Sequence, residues 1–408
     1  MNFIIYAIPV FFLLIIIELI ADKWRRTDYY RANDAINSLS AGVLSQMMGL
    51  LKKLIPFTLY VMVFEHLQLF TLPNQWWVWL FAFVAYDFLY YWNHRLGHEV
   101  NLLWAAHVVH HSSEEYNLTT ALRQSSGSVL SWVFYLPLAV IGIDPVVLIS
   151  VGSLNLIYQF WVHTRHIPKL GWYELFFVTP SNHRVHHAQN QVYLDRNYGG
   201  VFIIWDRIFG TFQEELDNEK PIYGIRKALH SWNPLWANAQ VYGQLLKDAL
   251  RTKRWQDKVS IWFRKTGWRP ADVAVKYPLA KTDLSKFQKF DVELGLSAKL
   301  YAILQYVITA GLALVVLLSD DALSSLQQLT IISFILFSSY SLGAFLEAKA
   351  YSFWLEATKS VGLIALVFLL ALPKPMLIGF TIAGVFTFLC LLLISHMQRK
   401  ELTPQLRL

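Results

Sequence analysis

A single cysteine, Cys390, occurs in 408 residues. One thiol forms no intrachain disulfide and no CxxC pair, which excludes a disulfide framework, a zinc finger and an iron–sulfur cluster. Cys390 lies in the last apolar block and reads as an ordinary buried residue. Catalytic signatures are scarce too. No Gly-rich phosphate loop or Ser/His/Asp order stands out, and His98-Glu-Val-Asn-Leu102 begins like the zinc-protease HExxH but ends in leucine. The first apolar run, residues 3–20, lacks a basic stretch before it and a small-residue cleavage site after it. It therefore reads as a retained span, not a signal peptide.

Apolar residues are plentiful, 55% of the chain, and they come in blocks. A spanning helix needs about 20 predominantly apolar residues, and the sequence predicts such blocks at residues 3–20, 41–64, 76–92, 128–141, 146–162, 301–319, 329–346, 352–372 and 376–395. Lys52 and Lys53 interrupt the second block, which reads either as one span with snorkelling lysines or as two shorter helices. Residues 128–141 and 146–162, parted by Gly142-Ile-Asp-Pro145, read as a hairpin that crosses fully or only partly. The expected fold is an all-α integral membrane protein with seven to nine membrane helices. The net charge of +7 does not imply nucleic acid, because the basic residues sit between spans and in one long loop. The positive-inside rule then puts the N-terminus outside, and the C-terminus and the polar stretch after residue 167 in the cytoplasm. A bacterial inner membrane and an endoplasmic reticulum suit this pattern equally.

Four regions are expected: N-terminal membrane helices at 1–75, a catalytic core at 76–215, a basic membrane-surface segment at 216–299 and four C-terminal membrane helices at 300–408. Within the third, residues 245–289 interleave Lys and Arg with Trp255, Trp262 and Trp268, a composition that suits anionic headgroups better than RNA.

Histidine is concentrated. Ten of the thirteen lie between His94 and His187, as His94-Arg-Leu-Gly-His98, His107-Val-Val-His110-His111 and His183-Arg-Val-His186-His187, with His163 and His166 between. Residues three and four apart on a helix share a face, with Cβ atoms about 5–6 Å apart, so each group is expected to aim its imidazoles at one point. Imidazole suits iron, zinc, copper and nickel. The three groups supply eight ligands, too many for one metal and suited to two. Paired haems would place lone histidines on separate helices, whereas these crowd within one turn. The soluble di-iron pattern of Glu plus Glu-x-x-His is absent. A pair of non-haem irons with mostly neutral ligands fits better, able to activate O2 and attack an unactivated C–H bond of a lipid.

The order HX3H, HX2HH, HX2HH resembles the fatty acid hydroxylase/sterol desaturase superfamily of membrane di-iron oxygenases, most nearly its alkylglycerol monooxygenase branch. The likeness rests on Trp92-Asn-His-Arg-Leu-Gly-His-Glu-Val-Asn101, on the sixteen residues from His110 to Ser125, on Pro180-Ser-Asn-His-Arg-Val-His-His187, on Arg196-Asn-Tyr-Gly-Gly200 and on Trp205-Asp-Arg-Ile-Phe-Gly-Thr-Phe212. It is strong over residues 80–215 and weaker outside. The resemblance implies that His94, His98, His107, His110, His111, His163, His183, His186 and His187 hold two irons, with O2 as co-substrate. It also implies hydroxylation of the carbon beside an ether oxygen, with electrons from tetrahydrobiopterin; the hemiacetal formed falls apart to an aldehyde and glycerol. Glu99 matches an acidic position of that branch, where it contacts the pterin or supports a histidine.

Several neighbours are candidates for outer roles. Asp87 lies seven residues before His94 on the same helical face, and a carboxylate inside a membrane helix is a functional candidate by default. Asn155, Gln159, His163 and His166 form one polar stripe; its bland reading is hydrogen bonding between helices. His163 is expected at the metal, with Gln159, His166 and Asn182 behind the ligands. Asp195 is a weaker candidate of the same kind. Arg123 and Gln124 read as headgroup or cofactor contacts or as exposed helix residues, and residues 205–212 as packing beneath the histidines. No fused cytochrome b5 HPGG segment is present, so the reductant is a pterin or a separate redox protein. A desaturase on the same site is the runner-up. A metal transporter or sensor would instead place acids or histidines mid-membrane in several spans.

Overall fold

The computed structural model describes residues 3–52, 54–126, 130–280, 283–318, 323–369 and 374–402. Among the described residues the chain is helical with no strand ladder, and pairing is confined to the isolated bridges Val100–Lys265, Phe177–Phe202 and Ala188–Tyr223. Among the described residues three helices are long and apolar enough to cross a membrane: Leu296–Leu318, Ser325–Leu346 and, within a longer helix, Leu377–Ser395. Shorter apolar helices cover Phe57–Leu67, Ser131–Ile141 and Pro145–Trp161. Of the two readings of residues 41–64, the pair of shorter helices is the one found, as Ala32–Lys52 and Leu54–Leu67; Lys53 lies outside the described residues. So do Ser128, at the start of the expected hairpin, and residues 319–322 and 370–373, at the ends of expected C-terminal spans.

The chain divides into two compact units. The first comprises Met1–Arg31, Met48–Leu229 and Asn238–Lys289 and holds every histidine from His94 to His187. Its axis is the helix Trp76–Glu99, 24 residues without proline or an internal glycine before Gly97. One extended residue, Val100 (φ −117, ψ 125), separates it from the helix Asn101–His111. The helix Pro145–Trp161 packs on the axis and starts cleanly: Asp144 caps it by accepting the Val146 N–H at 2.7 Å, and Pro145 supplies a pre-set first-turn φ. Gly142 closes the preceding helix at φ +101, where a Cβ would stand 2.0 Å from the Phe70 carbonyl oxygen. Only glycine fits there.

The second unit comprises Ala32–Met47, His230–Ala237 and Phe290–Leu408. Tyr301, Ala302, Leu342, Phe345, Leu391 and Ile394 are among its buried core. Inside this apolar packing sits one charged knot. Glu356 is fully buried and accepts from Tyr301 Oη at 2.7 Å, Ser341 Oγ at 2.6 Å and Lys359 Nζ at 2.7 Å. Three helices thereby share one carboxylate, so removing it strands a buried ammonium. Glu356→Leu is expected to lower stability by about 3–5 kcal/mol, and adding Lys359→Leu to recover most of the loss. An SDS unfolding titration of the two variants beside the parent protein reads both steps.

Candidate metal centre

The first box lies in the last two turns of the helix Trp76–Glu99, the second at the end of Asn101–His111, and the third on Pro180–His186 with His187 as its C-cap. His163 follows the end of Pro145–Trp161. The short third helix is held by a capping box between Thr179 and Asn182: Asn182 Oδ1 accepts the Thr179 N–H at 3.1 Å, and Thr179 Oγ1 accepts the Asn182 N–H at 3.4 Å. Asn182 thus sets the helix that presents His183 and His186.

The nine histidines gather into two clusters: His94, His98, His107, His111 and His186 in one, and His110, His163, His183 and His187 in the other. Within each, one nitrogen per residue lies within 4.8 Å of all the others. The groups therefore do not each aim at one point. Positions i and i+4 of a triplet share a face, so His107 and His111 join one cluster, and His183 and His187 the other. The histidine between turns about 100° away from its neighbour, so His110 and His186 cross to the opposite cluster. Each triplet feeds both, and the His111 and His187 rings stack at 4.3 Å between centroids across the divide.

Four rings are fixed from behind. His94 Nδ1 donates to the Tyr198 carbonyl at 2.8 Å, His110 Nδ1 to Arg123 at 3.1 Å, His163 Nδ1 to Gln159 at 2.8 Å and His186 Nδ1 to Arg196 at 3.0 Å. A carbonyl only accepts, so each Nδ1 carries the proton. The Nε2 of a neutral ring then holds a bare lone pair. His110 Nε2 and His163 Nε2 face each other at 3.3 Å, both from rings so fixed. Burial keeps these rings neutral: it holds His107, His111, His163, His183, His186 and His187 well below the ordinary imidazole value, and His110 down to about 4, with neighbouring imidazoles adding to most of these shifts. Opposed lone pairs repel unless a cation lies between them. The buried Nε2 atoms of His98, His186 and His187 lack any hydrogen-bond partner as well. This donor set fits a metal in each cluster, and neutral imidazole suits iron.

The remaining candidates stand further back. Asp87 touches no imidazole. It is buried and accepts from the Val201 and Phe202 N–H groups at 2.8 and 3.0 Å, from Trp205 Nε1 at 2.9 Å and from Asn155 Nδ2 at 2.6 Å. It thereby pins the loop whose Tyr198 carbonyl holds His94. Gly200 allows that approach, since a Cβ there would meet Asp87 Oδ1 at 2.8 Å. Residues 205–212 pack against the ligand-bearing axis, with Trp205 and Phe209 beside Phe88. Gln159 acts through its carbonyl, while its side chain accepts from Tyr90 Oη at 2.7 Å. His166 is outside both clusters and packs on Tyr29 at 5.0 Å between centroids. Glu99 is partly exposed and accepts from Arg95 Nε at 2.9 Å.

Three further residues were not singled out correctly by sequence. Arg123 is buried, not exposed: Nε donates to the Val109 carbonyl at 2.9 Å and Nη2 to Ser112 Oγ at 2.9 Å, locking the helix end that carries His110 and His111. Asp206 accepts from the Tyr198 and Gly199 N–H groups, each at 2.7 Å, and burial pushes its carboxyl up to about 6. Arg184, between two histidines, clasps Glu215 through Nε at 2.9 Å and Nη2 at 2.7 Å, and donates to the Ile167 carbonyl at 2.8 Å. Arg184 carried a signal in its place inside the third box, and Asp206 one in the Trp205–Phe212 stretch.

A family model described as Fatty acid hydroxylase matches residues 79–211, which contain both clusters. Alkylglycerol monooxygenase of Homo sapiens is 38% identical over 348 residues, covering 84% of this chain and 77% of that protein. The chain belongs to the fatty acid hydroxylase family. Alkylglycerol monooxygenase of Danio rerio is 36% identical over 376 residues, covering 91% of this chain and 83% of that protein. Ornithine lipid hydroxylase OlsE of Rhizobium tropici is 28% identical over 152 residues, 34% of this chain and 44% of that protein. No solved structure matches. Membership and these relatives make the chain a lipid monooxygenase that hydroxylates an alkyl chain, and such an enzyme requires a lipid substrate and a reductant. Its membrane-capable helices accord with a substrate that lives in a bilayer.

Two outcomes follow. Unfolded histidines accept protons near their ordinary value of about 6.5, whereas the buried rings refuse them, His110 until about pH 4. The stability they support is therefore present above about pH 6.5 and falls as the pH drops toward the folded values. The unfolding midpoint of metal-free protein is expected to be flat above about pH 7.5 and to fall steadily from about pH 6.5 to 5; a midpoint that rises on acidification contradicts the neutral-ring assignment. Asp206→Asn turns an amide NH2 toward one of two backbone donors. It is expected to weaken metal retention about 10–100-fold through Tyr198 and His94, measured by chelator competition with the helical circular dichroism unchanged.

Proposed function

We propose that this chain is a multi-pass membrane di-iron monooxygenase, with its site on the cytoplasmic side, that hydroxylates the ether-linked carbon of alkylglycerols using O2 and electrons from tetrahydrobiopterin. The observation that carries the metal assignment is the pair of imidazole clusters with Nε2 lone pairs turned on one another. The substrate assignment leans on the relatives named alkylglycerol monooxygenase, of which the chain covers more than three quarters in the human and zebrafish proteins.

In this reading His94, His98, His107, His111 and His186 hold one iron, and His110, His163, His183 and His187 the other. Iron held there supplies the reductive activation of O2 that attack on an unactivated C–H bond requires. One oxygen atom enters the C–H bond, and the other leaves as water with two electrons and two protons from the reductant. The carbonyls of Tyr198, Arg123, Gln159 and Arg196 fix the rings so that Nε2, not Nδ1, faces the metal. Asp87, with Asn155, and Asp206 hold the loop that presents the first of these carbonyls, Gln159 provides the third, and Asn182 caps the helix of the third box. His166 buttresses the segment after His163 without ligating. Glu99, partly exposed at the end of the first box, is the residue assigned to the pterin.

Metal analysis of the purified full chain tests this first. Two irons per chain are expected, with His163→Ala losing the four-histidine metal and retaining the other. A hexadecyl glycerol ether with tetrahydrobiopterin is expected to yield the fatty aldehyde, and His163→Ala to lower turnover at least about a hundredfold. Zinc in protein prepared with iron available, an alkene product, or no aldehyde from the iron-loaded protein overturns the reading.

A further inference from the structure

Residues 241–268 have two unlike faces. The inner one is closed: Leu245, Ala249 and Ile261 are buried with Ala105, packed by Tyr242 and Trp268. The outer one is open: Leu246, Leu250, Trp255, Val259 and Phe263 are exposed, with Leu250 and Trp255 at 69% and Phe263 at 66%. Large apolar side chains gathered on a surface mark a contact with something apolar.

Charge on this stretch is sorted in the same way. Its acids are turned inward: Asp248 is buried against Arg269 at 2.5 Å, and Asp257 is buried as well. The exposed charges from 246 to 265 are Lys247, Arg251, Lys253, Arg254, Arg264 and Lys265, all positive. Cations interleaved with tryptophan, phenylalanine and leucine suit the headgroup–acyl boundary of an anionic bilayer. There the rings enter the boundary and the cations meet phosphate. An acidic protein surface would match the charges and leave the apolar residues without a counterpart.

The same segment is bonded, through its backbone and Thr266, to the ligand helices. The Thr266 hydroxyl donates to the His98 carbonyl, and the Thr266 N–H to the Glu99 carbonyl at 3.1 Å. Asn101, at the start of the second ligand helix, donates through Nδ2 to the Ile261 carbonyl at 2.9 Å and to the Trp268 carbonyl at 3.1 Å, and its N–H to the Arg264 carbonyl at 2.9 Å.

We infer that residues 246–265 form a docking surface for an anionic lipid leaflet, and that a leaflet seated there steadies the helix junction that presents His98. The inference goes beyond the proposed reaction and does not depend on which lipid is hydroxylated.

The test uses the full chain with Cys390→Ser and Val259→Cys carrying a nitroxide, in nanodiscs of phosphatidylcholine alone or mixed with phosphatidylglycerol. In the mixed discs the label is expected to be shielded from a water-soluble nickel chelate and open to oxygen. Each cation at an anionic surface is worth about fivefold in affinity. Arg251→Ala, Lys253→Ala and Arg254→Ala together are then expected to weaken docking about a hundredfold and re-expose the label. Three results each overturn the inference: a label equally open to the chelate in both lipids, shielding that survives the triple substitution, or shielding in lipid-free detergent that grows with protein concentration, which would mean a second copy covers the face.

Discussion

Opposed lone pairs on neutral imidazoles are the constraint on which the first unit depends. Nine histidines are brought together, nearly all of them buried, with charge suppressed by burial and by one another. Left alone, such a cluster is unfavourable: desolvation costs several kcal/mol for polar groups that lack partners. A bound cation reverses the sign, because each Nε2 then points at a positive centre. For four of the nine rings the surrounding structure accordingly makes its hydrogen bonds on the far side, where backbone carbonyls accept from the Nδ1–H.

Three of those carbonyls come from places that ordinary secondary structure does not fix; the fourth, of Gln159, lies in the helix Pro145–Trp161. Tyr198 and Arg196 lie in a loop, and Arg123 follows a four-residue helix. Buried charge does the fixing. Asp87 and Asp206 hold the loop from two sides, and the guanidinium of Arg123 ties its own segment to the end of the helix carrying His110. Glu18 adds a brace from the helix Phe3–Arg25, accepting from the Leu118 N–H at 2.8 Å and from Thr164 Oγ1. Each carboxylate takes several donors, which is what allows a charge to sit so deep.

The histidine boxes were legible because their spacing lies within one helical turn, where sequence distance and spatial distance nearly coincide. The partition into five and four was not drawn from the same spacing, although the 100° step between adjacent residues contains it. His163 was reached through a polar stripe, and the same stripe pointed to His166, which the turn after Trp161 carries elsewhere. Asp87 stands out for its cost in an apolar helix, but its partners lie 68 to 118 residues ahead and no local pattern names them. Arg123 shows the reverse failure. A lone arginine near a helix end looks solvated, and only long-range packing buries it. Apolar blocks revealed the helical class.

The single extended residue at Val100 has a consequence for how this protein tolerates change. With one residue between the two ligand helices, the nine-residue step from His98 to His107 acts as a phase setting. Inserting one residue rotates the second triplet by about 100°, so that His110 would turn toward the cluster that His107 and His111 now serve, and deleting one turns it the opposite way. Composition along this stretch has some latitude, because Leu102, Leu103 and Trp104 only need to pack. Its length has none. The chain counts residues here more strictly than it reads them.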